Sequence, residues 1–169
     1  MDAREYIQLQ FANVRRVSDN VTADLTDDLL NWTPPGTIDS IGAILVHCIG
    51  AEDSFVQGMF QHKPLVWETG GWAEKIGVST IPNPRGGWEE VRSAKLAVGP
   101  LLDYQRAVRA STDSYLAGLT DEQLGQKVTF AGNERTVVQM LATSVVHTAH
   151  HMGEVSALKG IQGAKGLPY

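Results

Sequence analysis

With 169 residues, 43% of them hydrophobic, the chain can bury one substantial core and is short for two. A formal net charge of −5 without a dense Lys/Arg stripe argues against nucleic acid, whose binding draws on cationic neutralisation of phosphates. No basic leader opens the chain, no run of about 18 apolar residues occurs, and the single Cys48 excludes an internal disulfide, so a cytoplasmic protein with no membrane partner is expected.

Residues 3–18 place Tyr6, Leu9, Val14 and their neighbours at three-to-four spacing, which reads as a first helix. Thr26 begins a short capped turn of helix that Pro34, Pro35 and Gly36 stop, with Trp32 suited to plug one end of a helical core. A second long helix starts after Asp39 or Ser40, either of which can cap the first free amides, and runs to about Phe60 with His47 near its middle. From His62 to about Gly99, prolines and glycines alternate too closely for a long helix, and a connection of this length is a lid, a binding loop or a crossover. Trp67 and Trp72 lie in it, either as anchors or as the lining of a substrate cleft.

A third helix is expected over 100–118, with Pro100 tolerable in its first turn, an inner face including Leu101, Tyr104, Val108 and Leu116, and Gly118 as its stop. Residues 127–135 suit a short extended pair, and Glu134 to about Ile161 reads as the fourth helix. Arg92, Lys95, Arg106 and Arg109 are scattered enough to be a solvated face. These elements predict an all-α fold, a single domain over 1–169 built as a four-helix bundle. The connection between the second and third helices can span a helix length of about 30 Å, which suits an up-down-down-up path with one long crossover.

The last helix carries His147 and His151, one turn apart, in the run His-Thr-Ala-His-His-Met-Gly-Glu. Side chains at i and i+4 share a face about 5–6 Å apart, so both imidazoles can reach one cation. His150 falls some 60° further round the helix than His147, leaving the pair His147 and His150 as a weaker alternative. His47, on a separate amphipathic helix, supplies a third nitrogen, and three neutral nitrogens leave a coordination position for substrate. The competing reading is three packed histidines without metal, although burying several titratable rings is costly unless something compensates. Imidazole ligands favour a divalent transition metal, zinc or nickel first, with iron and copper also compatible.

Cys48 follows His47 directly, points about 100° away and reads as a core cysteine. Glu154 is the acid on the histidine face: an acceptor for a ring N–H, a fourth ligand, a catalytic proton acceptor, or simply a partner for His150. Glu52 and Asp53 face away from His47 and read as surface charges.

A His in the second helix, a His-x-x-x-His pair in the fourth and an early Trp-x-Pro together resemble the DinB-like metal-binding bundles, a superfamily that includes bacterial low-molecular-weight-thiol S-transferases and mycothiol-dependent maleylpyruvate isomerases. The resemblance spans nearly the whole chain. It implies that His47, His147 and His151 are the metal ligands, that the path is up-down-down-up and that the protein forms a homodimer. Where many relatives carry Arg-Gly-Gln after the paired histidines, this chain has Met152-Gly153-Glu154, so a substrate contact by that glutamine does not carry over.

The resulting expectation is a metal-dependent transferase that activates a low-molecular-weight thiol for attack on a small electrophile. Two alternatives accompany it: a metal-dependent hydrolase and a non-catalytic metal-holding or stress-response bundle. They part on one point, since hydrolysis proceeds without thiol and an idle site turns nothing over.

Overall fold

The structure is a computed structural model that describes residues 1–167. Helix α1 (Ala3–Thr22) starts at Asp2, whose carboxylate accepts the Glu5 N–H while the Glu5 side chain accepts the Asp2 N–H. It buries Ile7, Phe11, Val14, Ser18 and Val21, a four-three alternation along one stripe. Of the three apolar positions singled out in the sequence only Val14 is buried, because the stripe through Ile7 and Phe11 turns Tyr6 and Leu9 to solvent.

Helix α2 (Asp27–Asn31) is the short turn capped by Thr26, and Trp32 packs partly buried against the main core just beyond it. Ser40 caps α3 (Ile41–Asp53), while Asp39 pairs with Arg92 instead. Every residue from Ile41 to Val46 is buried, so α3 is a central helix, covered on all sides. The α-helix ends at Asp53 and continues directly into a π-helical turn, Ser54–Phe60, rather than running to Phe60 as one α-helix. Gly58 within the turn lowers the α-helical preference there.

The Pro/Gly-rich segment holds three short helices, α4 (Val66–Thr69), α5 (Trp72–Ile76) and α6 (Trp88–Ser93). Helix α7 (Val98–Ala117) follows, then α8 (Asp121–Gly125). Strands β1 (Lys127–Phe130) and β2 (Asn133–Thr136) form an antiparallel hairpin with Lys127 opposite Thr136 and Phe130 opposite Asn133. Glu134 therefore belongs to a strand, and α9 (Val137–Ile161) begins three residues later, where Thr136 and Gln139 cap it reciprocally.

Helices α1 and α3 each pack against both α7 and α9. Ile7 and Phe11 near the start of α1 share one apolar cluster with Leu116 at the end of α7 and with Val137 and Leu141 at the start of α9. At the opposite end, the buried Lys159 of α9 donates to the Val21 carbonyl at 2.7 Å and pairs with Asp24 just past α1. Thus α1 and α9 run parallel and α7 opposes them. Thr112 and Ser111, late in α7, bond to Glu52 near the end of α3 and to Gln57 in the π-helical turn that continues it, so α3 runs with α7. The long helices follow up, down, down, up, and the middles of α3 and α9 face each other.

Glu52 and Asp53 are not surface charges. Glu52 accepts from Arg15 and from the Thr112 hydroxyl, and Asp53 is fully buried. The Asp53 carboxylate accepts the backbone N–H groups of Val66 and Trp67 and the Tyr104 hydroxyl, each at 2.9 Å. It thereby fastens the start of α4 to both α3 and α7. Ile81 of the crossover lies so close to α3 that a Cβ at Gly50 would collide with it. The scattered cations are largely paired, Arg92 with Asp39, Arg106 with Asp103 and Arg109 with Asp19. Among the described residues no helix is long and apolar enough to cross a membrane.

Candidate metal centre

His47 reaches from the middle of α3 toward His147 and His151, one turn apart on α9. The Nε2 atoms of His47 and His151 each lie 3.1 Å from the Nε2 of His147, and one ligand atom from each ring falls within 4.8 Å of the others. His150, by contrast, is exposed, as its helical phase requires.

The outer nitrogens of two rings are committed. His47 Nδ1–H donates to the Pro82 carbonyl at 2.7 Å, and His151 Nδ1–H donates to Glu154 Oε2 at 2.6 Å. Each bond fixes the tautomer and turns an Nε2 lone pair inward. His147 Nε2 can satisfy at most one of those two lone pairs by donating a proton, so three converging imidazoles are better matched to a shared cation than to one another. The residues fit a divalent transition metal. Nitrogen donors and the absence of a carboxylate cage among the described residues match zinc or nickel chemistry rather than calcium or magnesium.

Burial holds the His47 ring below the ordinary imidazole pKa, and burial together with the neighbouring rings pushes His147 down to about 4. His147 is consequently neutral, and ready to ligate, well into acid, and the shift of His47 is in the same direction. The same shifts set the stability of the metal-free protein. Its fold contribution from His147 is complete above the unfolded value of about 6.5 and is lost as pH falls toward about 4, up to roughly 3 kcal/mol. Denaturant melts of chelator-treated protein between pH 7.5 and 4.5 are expected to show this loss, and added zinc at pH 7 is expected to raise the midpoint.

Glu154 stands one ring away from the centre, as an acceptor for His151 rather than as a ligand or a partner of His150. Glu154→Ala is expected to weaken metal affinity about 10–100-fold, with Glu154→Gln retaining more, as measured by chelator competition. Cys48 is buried beside Thr148 with its thiol pushed up to about 12 by burial, so it is an inert core group.

One side of the centre opens on a cavity of about 810 Å³, whose wall includes His47 and His147. The rest is mostly apolar: Phe55 from the π-helical turn, Leu65, Trp67 and Ile81 from the crossover, and Phe130 from the hairpin. Phe55 and Phe130 meet edge to face at 5.5 Å, and Trp88 packs 4.9 Å from the His47 ring. Trp67 anchors α4 through its backbone N–H to Asp53 and also lines the cavity. Trp72 is a core residue packed on Tyr104 and away from the cavity wall. Sequence periodicity gave no sign of the Pro82 carbonyl, Phe55 or Phe130, because they reach the site from an irregular loop, a π-helical turn and the end of a short hairpin strand.

A family model described as the DinB superfamily matches residues 10–155. Among solved structures, a conserved protein from Enterococcus faecalis superposes with a TM-score of 0.80 at 20% identity, covering 96% of this chain and 99% of that one. A DinB-like protein from Bacillus cereus gives 0.67 at 16% identity, with 98% and 96% covered. Another from Bacillus subtilis gives 0.61 at 18% identity, with 97% and 96% covered. These likenesses speak to the fold. No curated protein matches the sequence.

Proposed function

The chain belongs to the DinB superfamily, and on that premise we propose that it is a metal-dependent transferase joining a low-molecular-weight thiol to a small electrophile. The observation that carries the proposal is the placement of three inward Nε2 atoms at the edge of a large, mostly apolar cavity. His47, His147 and His151 would hold a divalent cation, which when bound would lower the pKa of a thiol and favour the thiolate, the form that attacks an electrophile.

The protein's own groups supply the rest. Pro82 and Glu154 keep the His47 and His151 rings turned inward, so no ring has to reorient when the site fills. Phe55, Trp67 and Ile81 exclude water from the reacting face and hold the carbon skeleton of the electrophile near the sulfur. Asp53 secures Trp67 through its backbone N–H.

The proposal extends to a homodimer. Its support is an exposed stripe of small and apolar residues on α9, comprising Val138, Ala142, Val146, Ala149, Gly153 and Ala157 within about 100° of arc, with open space beside Gly153. Sedimentation velocity decides this point, a dimer mass supporting it and a monomer mass overturning it.

The catalytic proposal is tested by incubating zinc- or nickel-loaded protein with a panel of small thiols and reactive electrophiles. Conjugation that needs both thiol and metal is expected. Metal-dependent turnover without thiol would transfer the reading to hydrolysis, and no turnover across the panel would favour a metal-holding bundle without catalysis.

A further inference from the structure

The cavity beside the histidines does not end at Phe130. A second chamber of about 630 Å³ adjoins it, and Ser54, Thr80, Asn83, Pro84 and Phe130 belong to the walls of both. The two meet at these residues: the inner chamber, mostly apolar, has His47 and His147 in its wall, and the outer one has Arg85. Arg85 is the one charged residue on the wall of the outer part among the described residues, and it forms no ion pair among them.

The backbone of the turn that carries Arg85 is braced. Asn83 and Gly86 exchange backbone hydrogen bonds at 2.9 and 3.0 Å, and the Asn83 side chain accepts the Arg85 N–H at 2.9 Å. The Trp88 indole N–H donates to the Asn83 carbonyl at 3.0 Å, tying the same turn to the start of α6. Arg85 is exposed on a braced turn that lines this chamber, and a guanidinium without an ion pair is a ready partner for a carboxylate. In a protein of net charge −5, Arg85 is free of the acidic partners that Arg92, Arg106 and Arg109 have, and what sets it apart from other unpaired cations is its place on this chamber wall.

We propose that the cleft takes an amphiphilic carboxylate, with its aryl or alkyl body in the inner chamber and its carboxylate on Arg85 in the outer one. The ligand spans the two chambers past Phe130. This rests on reading the inner chamber as the substrate site, and it names the chemical class of the electrophile that such a site selects. Small uncharged electrophiles fit the inner chamber alone and gain nothing from Arg85.

The test is equilibrium binding of dansyl-aminoundecanoic acid and of its methyl ester, followed by dansyl fluorescence, to metal-free and zinc-loaded protein without any thiol. The acid is expected to bind about three- to tenfold more tightly than the ester, a preference suited to a charge pair near solvent. Arg85→Ala is expected to abolish that preference and leave ester binding unchanged. Thr143→Trp, at an exposed position on the inner wall, is expected to weaken both ligands equally. Equal binding of acid and ester by the unaltered protein, an acid preference that survives Arg85→Ala, or no binding of either compound overturns the proposal. Thiol transfer to uncharged electrophiles is measured separately, so its success or failure is independent of these outcomes.

Discussion

His47→Ala is expected to weaken divalent metal binding at least about a hundredfold, beyond the range typical of losing an outer hydrogen-bond partner. Without His47, only the i, i+4 pair on α9 is left, and the cation loses the ligand that ties it to the second helix. The fold itself is expected to change little. His47 is half-buried, and its removal deletes one hydrogen bond to Pro82 and a contact with Trp88, about 1 kcal/mol of stability. His151→Ala is expected to match His47→Ala, because it too leaves two nitrogens. His150→Ala is the control: its ring is exposed and outside the triad, so affinity measured by competition with a chromophoric chelator is expected to stay the same.

Asp53→Ala is the substitution with the largest expected effect on stability. It deletes a fully buried carboxylate and leaves the N–H groups of Val66 and Trp67 and the Tyr104 hydroxyl without their acceptor. Orphaned buried donors cost about 1–3 kcal/mol each, partly recovered by relaxation or entering water, so a total of about 3–5 kcal/mol is expected in denaturant melts. Burial also raises the pKa of Asp53 while its three donors oppose the rise. Those donors are thus what makes the site tolerable for a carboxylate. Tyr104→Phe removes a single donor and is expected to cost about 1 kcal/mol. Because Asp53 fastens Trp67 to the cavity wall and does not touch the histidines, Tyr104→Phe is expected to disturb ligand binding in the cavity more than metal retention.

The features legible in the sequence are those set by helical periodicity and caps. His147 and His151 share a phase that His150 does not, and a second helix with one histidine at its middle could meet them only if the two helices were neighbours. Ser40 and Thr26 mark helix starts as their chemistry dictates, whereas the Thr136 cap places the last helix three residues after the expected Glu134. What periodicity could not show is set by tertiary packing. The stripe through Ile7 and Phe11 wins over Tyr6 and Leu9 because its spacing continues unbroken to Val21. Asp53 resembles any acid at the end of an apolar helix until α4 arrives with two free N–H groups to be capped. The hydrogen bond from His47 to Pro82 joins residues 35 positions apart and runs through a carbonyl, which side-chain identity does not encode.

The proposed centre has three histidine nitrogens that hold a divalent cation and leave room for a thiol sulfur. X-ray absorption spectroscopy on zinc-loaded, tag-free protein, with and without an added small thiol, tests it directly. Three nitrogen ligands at about 2.0–2.1 Å are expected, joined on thiol addition by one sulfur at about 2.3 Å. A first shell without histidine scattering, or one that thiol leaves unchanged, would contradict it.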